Sequence, residues 1–252
     1  LIEAALYWVI RRPLNRSYYT PNLASKMNQD PIEQIEINLR AETLNQRKEA
    51  LDELAEFPAE IAVPVLQRLV SERDFGLRRL AVMGFGNYTT EASFQTLKQI
   101  IEQEKDPNVL AEAANSLFEF GDRAIPILQK LFEVSNNWLV RQTVISLLVE
   151  TDCYEILLSV ATLALQDETE TVKQTGISAL GQLLKSSVKD RALDLLAQLA
   201  GDENWRSRWK VAYALQNSQD LQARGLIAKL QQDENYRVVA AALEVASDWG
   251  EK

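Results

Sequence analysis

The stretch VRQTVISLLV runs from Val140 to Val149, and VKQTGISALG runs from Val172 to Gly181. The two agree at six of ten positions and begin 32 residues apart in one chain. Self-similarity at a fixed spacing marks a chain built by stacking one structural unit many times. Sliding the pattern along the 252 residues finds five further copies: QRKEALDELA from Gln46, LRRLAVMGFG from Leu77, VLAEAANSLF from Val109, WRSRWKVAYA from Trp205 and YRVVAAALEV from Tyr236. Successive copies start 31, 32, 31, 32, 33 and 31 residues apart.

Within the copies a small residue usually stands four places in, at Ala50, Ala81, Ala113, Gly176 and Ala240. A large apolar residue usually stands eight in, at Leu54, Phe85, Leu117, Leu148 and Leu180. Those offsets share one face of a helix, where small residues admit a close neighbour and large ones fill the space beyond. Upstream of each copy lies a second apolar-periodic stretch, clearest in VPVLQRL from Val63 and IPILQKL from Ile125. Pro64, Pro126 and Pro31 are expected in the first turn of these upstream helices, where a missing N–H costs nothing. Polar residues at Asp74, Asn137, Asp202 and Asp233 stand four before Arg78, Arg141, Arg206 and Arg237, while Asp106 and Lys173 keep half of that pairing. These positions predict a ladder of hydrogen bonds between neighbouring units. A single helix pair cannot bury its apolar stripe alone, so the same pattern must recur on either side of it.

Two helices per ~31 residues, proline early in the first and Asp-x-x-x-Arg opening the second, resemble the HEAT repeat. The short period and the VRxxAxxxLG wording resemble the subgroup named after cyanobacterial phycobilisome lyases. The resemblance covers about residues 30–248. It implies an all-α fold, an α-solenoid of about seven HEAT-like helix pairs in a right-handed superhelix, with the second helices on the concave side. On this reading residues 1–29 form a basic, aromatic leader or cap, and residues 30–252 form the solenoid.

Composition agrees with a helical, non-enzymatic protein. Hydrophobic residues make up 46% of the chain, ample for a core, and only 9 Gly and 7 Pro interrupt it. There is no histidine, the commonest general base and metal ligand. No glycine-rich phosphate loop, metal-ligand spacing or nucleophile elbow occurs. The predicted catalytic and metal sites are therefore none. The single Cys153 permits no internal disulfide and points to a reducing, cytoplasmic setting. Its acidic neighbours in ETDCYE disfavour the thiolate, so a bystander cysteine is expected rather than a nucleophile. No apolar run approaches the roughly 20 residues of a membrane span, and LIEAALYWVI carries Glu3 and is too short for one. Net charge is −9, which disfavours nucleic acid. Charge is uneven, however: Arg11, Arg12, Arg16 and Lys26 face Glu3 alone within residues 1–29.

On a repeat scaffold, function sits where the repeat is broken. The sixth copy puts Trp209 where others hold a small residue. Sliding its register by two instead places Val211 and Leu215 on the core face and sets Trp205 and Trp209 on one side. Trp205, Arg206, Arg208, Trp209, Tyr236 and Arg237 then make a C-terminal aromatic and arginine patch, the residue types that binding hot spots favour. A locally repacked core is the competing reading. Trp138 opens an earlier second helix and, with Trp205, is expected to extend an aromatic edge. The leader residues Arg11, Arg12, Arg16, Tyr18 and Tyr19 form the second candidate docking element, the alternative being a plain N-terminal cap. They allow weak peripheral contact with an anionic membrane surface.

The function expected is a non-catalytic protein-binding scaffold or chaperone. The subgroup resemblance implies phycobiliprotein or phycobilisome work: bilin attachment, detachment, assembly or turnover. Its partner would be a phycobiliprotein subunit or a second HEAT-repeat subunit, with no resident cofactor beyond a transient bilin contact. A generic HEAT-repeat adaptor unrelated to bilins is the alternative. Catalysis of a bilin lyase type, within a heteromer, is a third.

Overall fold

A computed structural model of the protein describes residues 31–250. Fourteen α-helices follow one another, with no strand among the described residues. They are α1 (Pro31–Leu39), α2 (Leu44–Leu54), α3 (Ala59–Leu69), α4 (Phe75–Phe85), α5 (Glu91–Gln103), α6 (Pro107–Phe118) and α7 (Ile125–Val134). The series continues with α8 (Trp138–Val149), α9 (Tyr154–Ala164), α10 (Glu170–Leu183), α11 (Lys189–Leu199), α12 (Trp205–Leu215), α13 (Leu221–Leu230) and α14 (Tyr236–Gly250). Odd and even helices pair as the repeat predicts, giving seven layers of an all-α solenoid. The even-numbered second helices pack closely on one another, whereas the odd-numbered first helices meet more sparsely. A layer that is tighter on one side must curve toward that side, so the second helices line the concave surface.

Each second helix opens on a polar residue: Thr43, Asp74, Asp106, Asn137, Thr169 and Asn204. Asn235 plays the same part in the last, accepting the Arg237 N–H at 3.0 Å. All of these side chains but Thr169 accept from an amide that a helix start leaves unpaired. Seven residues past these caps stand Ala50, Ala81, Ala113, Val144, Gly176, Val211 and Ala242, all buried. Eleven past stand Leu54, Phe85, Leu117, Leu148, Leu180 and Leu215, none of them exposed at all. Eight past, on the side toward the following repeat, stand Leu51, Val82, Ala114, Ile145, Ile177 and Ala212, likewise buried. Helices α10 and α12 approach closely: a Cβ on Gly181 would meet Ala214 Cα, Cβ and O at 2.9 Å each.

Two expectations need correction. First, the sixth and seventh copies begin two residues later than the pattern search placed them. Thr169 and Asn204 are 35 residues apart rather than 31 or 32, the excess lying in the fourteen-residue α10 and the loop after it. The slid register, with Val211 and Leu215 inward, is the one the chain adopts, and Ala240 is exposed. Second, Pro64 is not in a first turn. It lies inside α3, which starts at Ala59 after the cap residue Pro58. Pro64 is on the exposed side of the helix, so water can reach the carbonyl its missing N–H leaves free. Pro31 and Pro126 do occupy first turns.

The ladder exists, and its geometry explains the register slip. Arginines four past a cap reach the carboxylate that precedes or caps the next second helix. Arg47 meets Asp74 at 2.9 Å, Arg78 meets Glu104 at 2.7 Å, Arg141 meets Asp167, and Arg208 meets Asp233 at 2.7 Å. Each also donates to a carbonyl six residues upstream: Ala41, Glu72, Ser135 and Asp202. One guanidinium thus ties its own entry loop to the next layer. Arg206 and Arg237 are not rungs. They mimic the motif because Asp202 and Asp233 stand two residues before the true caps.

Candidate protein-binding surface

The sixth second helix, α12, carries Trp205, Trp209 and Tyr213 at four-residue spacing, so the three rings run along one side of it. All three are half-buried, their inner edges packed against the core. Trp209 and Tyr213 pack edge to face, with centroids 5.2 Å apart and planes at 77°. Tyr213 donates to a Glu244 carboxylate oxygen on α14 at 2.6 Å, and that bond holds its hydroxyl proton above the usual range. Lys210 lies 5.8 Å from the Trp209 ring centre, and burial pushes its ammonium down.

The first turns of α12 and α14 meet around Trp205. The Arg206 guanidinium lies 4.6 Å from its ring centre and that of Arg237 lies 5.1 Å away. Arg237 also sits 5.5 Å from the Tyr236 ring centre and donates to the Tyr236 hydroxyl at 3.1 Å. Both arginines are exposed, and no carboxylate among the described residues pairs with either. They share this with Arg73 and Arg224, but only at Trp205, among the described residues, do two such guanidiniums converge on one ring. Both guanidiniums lie over the indole ring, and each fork retains donors for an incoming anion.

The structure sorts the residues expected in the patch. Trp205, Arg206, Tyr236 and Arg237 come together at the surface. Trp209 lies beside them as the outer wall of the core, so the repacking reading describes it in part. Arg208 does not belong to the surface: it is buried, and its donors go to Asp233, Glu234 and two carbonyls. Trp138 is exposed at the start of α8, the position equivalent to Trp205, but it stands two layers away. At 8–10 Å per layer that is roughly 20 Å. The intervening position holds Glu170, which accepts from Asn204 at 3.0 Å, so the aromatic edge is interrupted. Arg11, Arg12, Arg16, Tyr18 and Tyr19 lie outside the described residues. Tyr213 and Lys210 were missed in the sequence, although the 205-209-213 spacing was there to be read.

Elsewhere the surface offers little. A shallow cleft of about 390 Å³ between α1 and α2 is lined by Pro31, Ile35, Glu53, Glu56 and Phe57. A second, about 250 Å³, lies by Thr151, Asp152, Tyr154 and Gln182. In the second, the Tyr154 hydroxyl donates to Asp152 Oδ1 at 2.7 Å. Cys153 is half-buried at the start of α9. No helix among the described residues is long and apolar enough to cross a membrane.

Comparison with known proteins agrees with this architecture. Residues 64–149 and 158–248 match the profile of HEAT repeats. No curated protein matches the chain. Among solved structures, the Escherichia coli protein YibA is similar at 15% identity and a TM-score of 0.60, over 90% of this chain and 88% of that one. Kap121p is similar at 15% identity and a TM-score of 0.51, over 85% of this chain and 28% of that one. The complex of CpcE and CpcF of phycocyanin lyase from Nostoc sp. PCC7120 has 18% identity and a TM-score of 0.44, over 92% of this chain and 99% of that one. At such identities the likeness is one of fold.

Proposed function

The chain belongs to the HEAT-repeat family, and from that premise we propose that it is a non-catalytic protein-binding scaffold whose C-terminal patch holds the partner. One observation carries the reading: two exposed guanidiniums without carboxylates lie over the ring of half-buried Trp205. Arg40 and Arg191 are neutralised by glutamates of their own chain, and Arg73 and Arg224, which are exposed and have no such partner, do not converge on a shared ring. At the patch the chain leaves the charge open and surrounds it with rings. Rigid helices hold these groups in place, which lowers the ordering cost of binding.

A narrower reading follows from the wording of the Val140 and Val172 repeats, which resembles the phycobilisome-lyase subgroup. On it the partner is a bilin-bearing subunit, and the scaffold serves bilin attachment, detachment, assembly or turnover. A bilin offers a flat conjugated system and two propionates, the chemistry that Trp205, Arg206 and Arg237 are suited to contact. The basic residues Arg11, Arg12 and Arg16 then speed encounter rather than supply affinity.

Co-expression with phycobiliprotein subunits and a bilin source tests both levels. A stable complex with altered bilin absorbance is expected, weakened about tenfold or more, roughly 1.4 kcal/mol, by Arg206→Ala with Arg237→Ala. Both residues are exposed, so the fold should be unaffected. Absence of any complex or spectral change removes the bilin reading. A complex that the double variant forms normally removes the patch.

A further inference from the structure

The stretches Val140–Val149 and Val172–Gly181 agree at six positions, and burial accounts for three of them. Val140 and Val172, Ile145 and Ile177, Leu148 and Leu180 are core residues of α8 and α10. The other three matches are polar: Gln142 with Gln174, Thr143 with Thr175, and Ser146 with Ser178. They stand five, six and nine past the caps. Two residues on a helix are a rotation of roughly 200°, so the fifth and ninth positions point away from the core-facing seventh, onto the concave surface. The sixth lies beside them, and all six side chains are half-buried there. Internal hydrogen bonding does not require the match. In α10, Thr175 and Ser178 donate to the Thr171 and Gln174 carbonyls at 2.8 and 3.0 Å, and Gln174 donates to Glu170 at 3.0 Å. In α8 the Gln142, Thr143 and Ser146 side chains make no hydrogen bond among the described residues. Nearby positions differ freely: Trp138 against Glu170, Leu139 against Thr171, Val144 against Gly176. An identical triplet on adjacent layers, required by neither packing nor internal bonds, fits a ligand that presents the same groups twice.

We infer that the concave face of α8, α10 and α12 receives an extended acidic segment of a partner protein, its peptide groups on Gln142 and Gln174 and a carboxylate against Lys210. The inference rests on the scaffold reading and specifies the segment taken. The group that every extended segment repeats is its peptide unit, and a primary amide side chain offers the donor and the acceptor that complement one. A helix satisfies its own peptide groups and needs apolar surface to cover its stripe, which the two polar triplets do not offer. Spacing agrees: layers 8–10 Å apart are spanned by about three residues at roughly 3.3 Å each, so about nine residues cross three layers. Charge selects the sign. In α12 the triplet is replaced by Trp209, Lys210 and Tyr213, whereas the same positions of α8 and α10 are uncharged. Lys210 is half-buried with no carboxylate paired to it among the described residues, and Arg206 stands one turn earlier. Glu244, on the far side, is taken by the Tyr213 hydroxyl.

Fluorescence anisotropy on the full chain tests the assignment. The probe is a labelled nine-residue peptide of Ser, Thr and Val with Asp at both ends, so that either chain direction sets a carboxylate at α12. One control carries Asn in place of Asp, and another is N-methylated at its central peptide groups. Saturable binding of the acidic probe is expected, about tenfold tighter than that of either control. Lys210→Met should lower the acidic probe to the level of the Asn control and leave that control unchanged. Gln142→Ala with Gln174→Ala should weaken both Asp and Asn probes about tenfold while keeping the wild-type circular dichroism. The two control peptides test the same contacts on the unaltered chain. Failure of the acidic probe to bind, equal binding of either control, or unchanged binding by the Lys210 variant overturns the inference. So does tighter binding of a hydrocarbon-stapled helix of the same charge, since the occupant would then be helical. In the co-expression assay, a complex lost by the Arg206 and Arg237 variant but kept by both groove variants removes the groove and leaves the scaffold reading standing.

Discussion

Replacing Gly181 by alanine sets two effects of similar size against each other, and the structure says which wins. Alanine in a helix interior is favoured over glycine by about 1 kcal/mol, so propensity alone predicts a more stable protein. The new Cβ, however, would lie 2.9 Å from three atoms of Ala214, two of them backbone. Carbon atoms pack best at about 3.5–4.0 Å, so the overlap is more than half an ångström and no rotamer change relieves it. Helices α10 and α12 must separate, and overpacking of this kind costs roughly 1–3 kcal/mol. The net expectation is destabilisation by about 1 kcal/mol. Gly225 supplies the control: it is exposed within α13, and nothing lies within 4 Å of its would-be Cβ. Gly225→Ala should stabilise by about 0.5–1 kcal/mol. At 2–4 °C per kcal/mol for a chain of this size, the two variants should melt about 3–8 °C apart, on opposite sides of the wild type. Thermal unfolding followed by circular dichroism measures this directly. If Gly181→Ala melts as high as Gly225→Ala, the second helices are not in the close contact described.

Two further outcomes follow from the ladder. The Arg208 guanidinium holds Asp233 below the usual carboxylate range; for Asp167 and Glu104 burial pushes upward but backbone amides and arginines outweigh it. A lowered folded value means stability present above the unfolded value of roughly 4 and lost as pH falls through the folded one. Glu112, raised by burial against the pull of Arg79, acts in the opposite sense but is one group against several. The melting temperature should therefore hold from pH 7 to about 5 and drop below about 4; a rise on acidification would contradict the ladder. Arg208→Leu should cost about 3 kcal/mol in denaturant unfolding, because it strands Asp233 beneath Glu234 without its main partner. Adding Asp233→Leu should restore most of that, and an undiminished stability in the single variant would show that the rung does not matter.

The layers were legible in the sequence because burial imposes the same demand seven times. Ala50, Ala81, Ala113 and Gly176 are all buried, and at Gly176 even a Cβ would meet Ala164 Cβ at 2.8 Å. That constraint survives any change in the polar residues between. The register of the last two layers was harder, because Asp202 and Asp233 satisfy Asp-x-x-x-Arg while acting in another capacity. The core offered the better guide, since Val211 and Leu215 have nowhere else to go. Pro64 was misread for a related reason: a proline is compatible with a first turn, but also with an exposed site inside a helix whose lost bond water can replace. The aromatic edge reached Trp138 in sequence because equivalent positions were compared without the layers between them, and Glu170 interrupts it.

Arginine identity by itself carries almost no functional information here; its phase on the helix carries nearly all of it. Four residues past the cap, the side chain of Arg208 points along the seam between layers, where two carbonyls and two carboxylates absorb it. Two residues past the cap, Arg206 and Arg237 emerge at the rim, where the seam has ended and the adjacent groups are rings. A shift of two residues on a helix is a rotation of roughly 200°, which is the difference between a structural rung and an open cation. In a stack of near-identical units the exposed chemistry is therefore set by phase. That is why it gathers at the starts of α12 and α14.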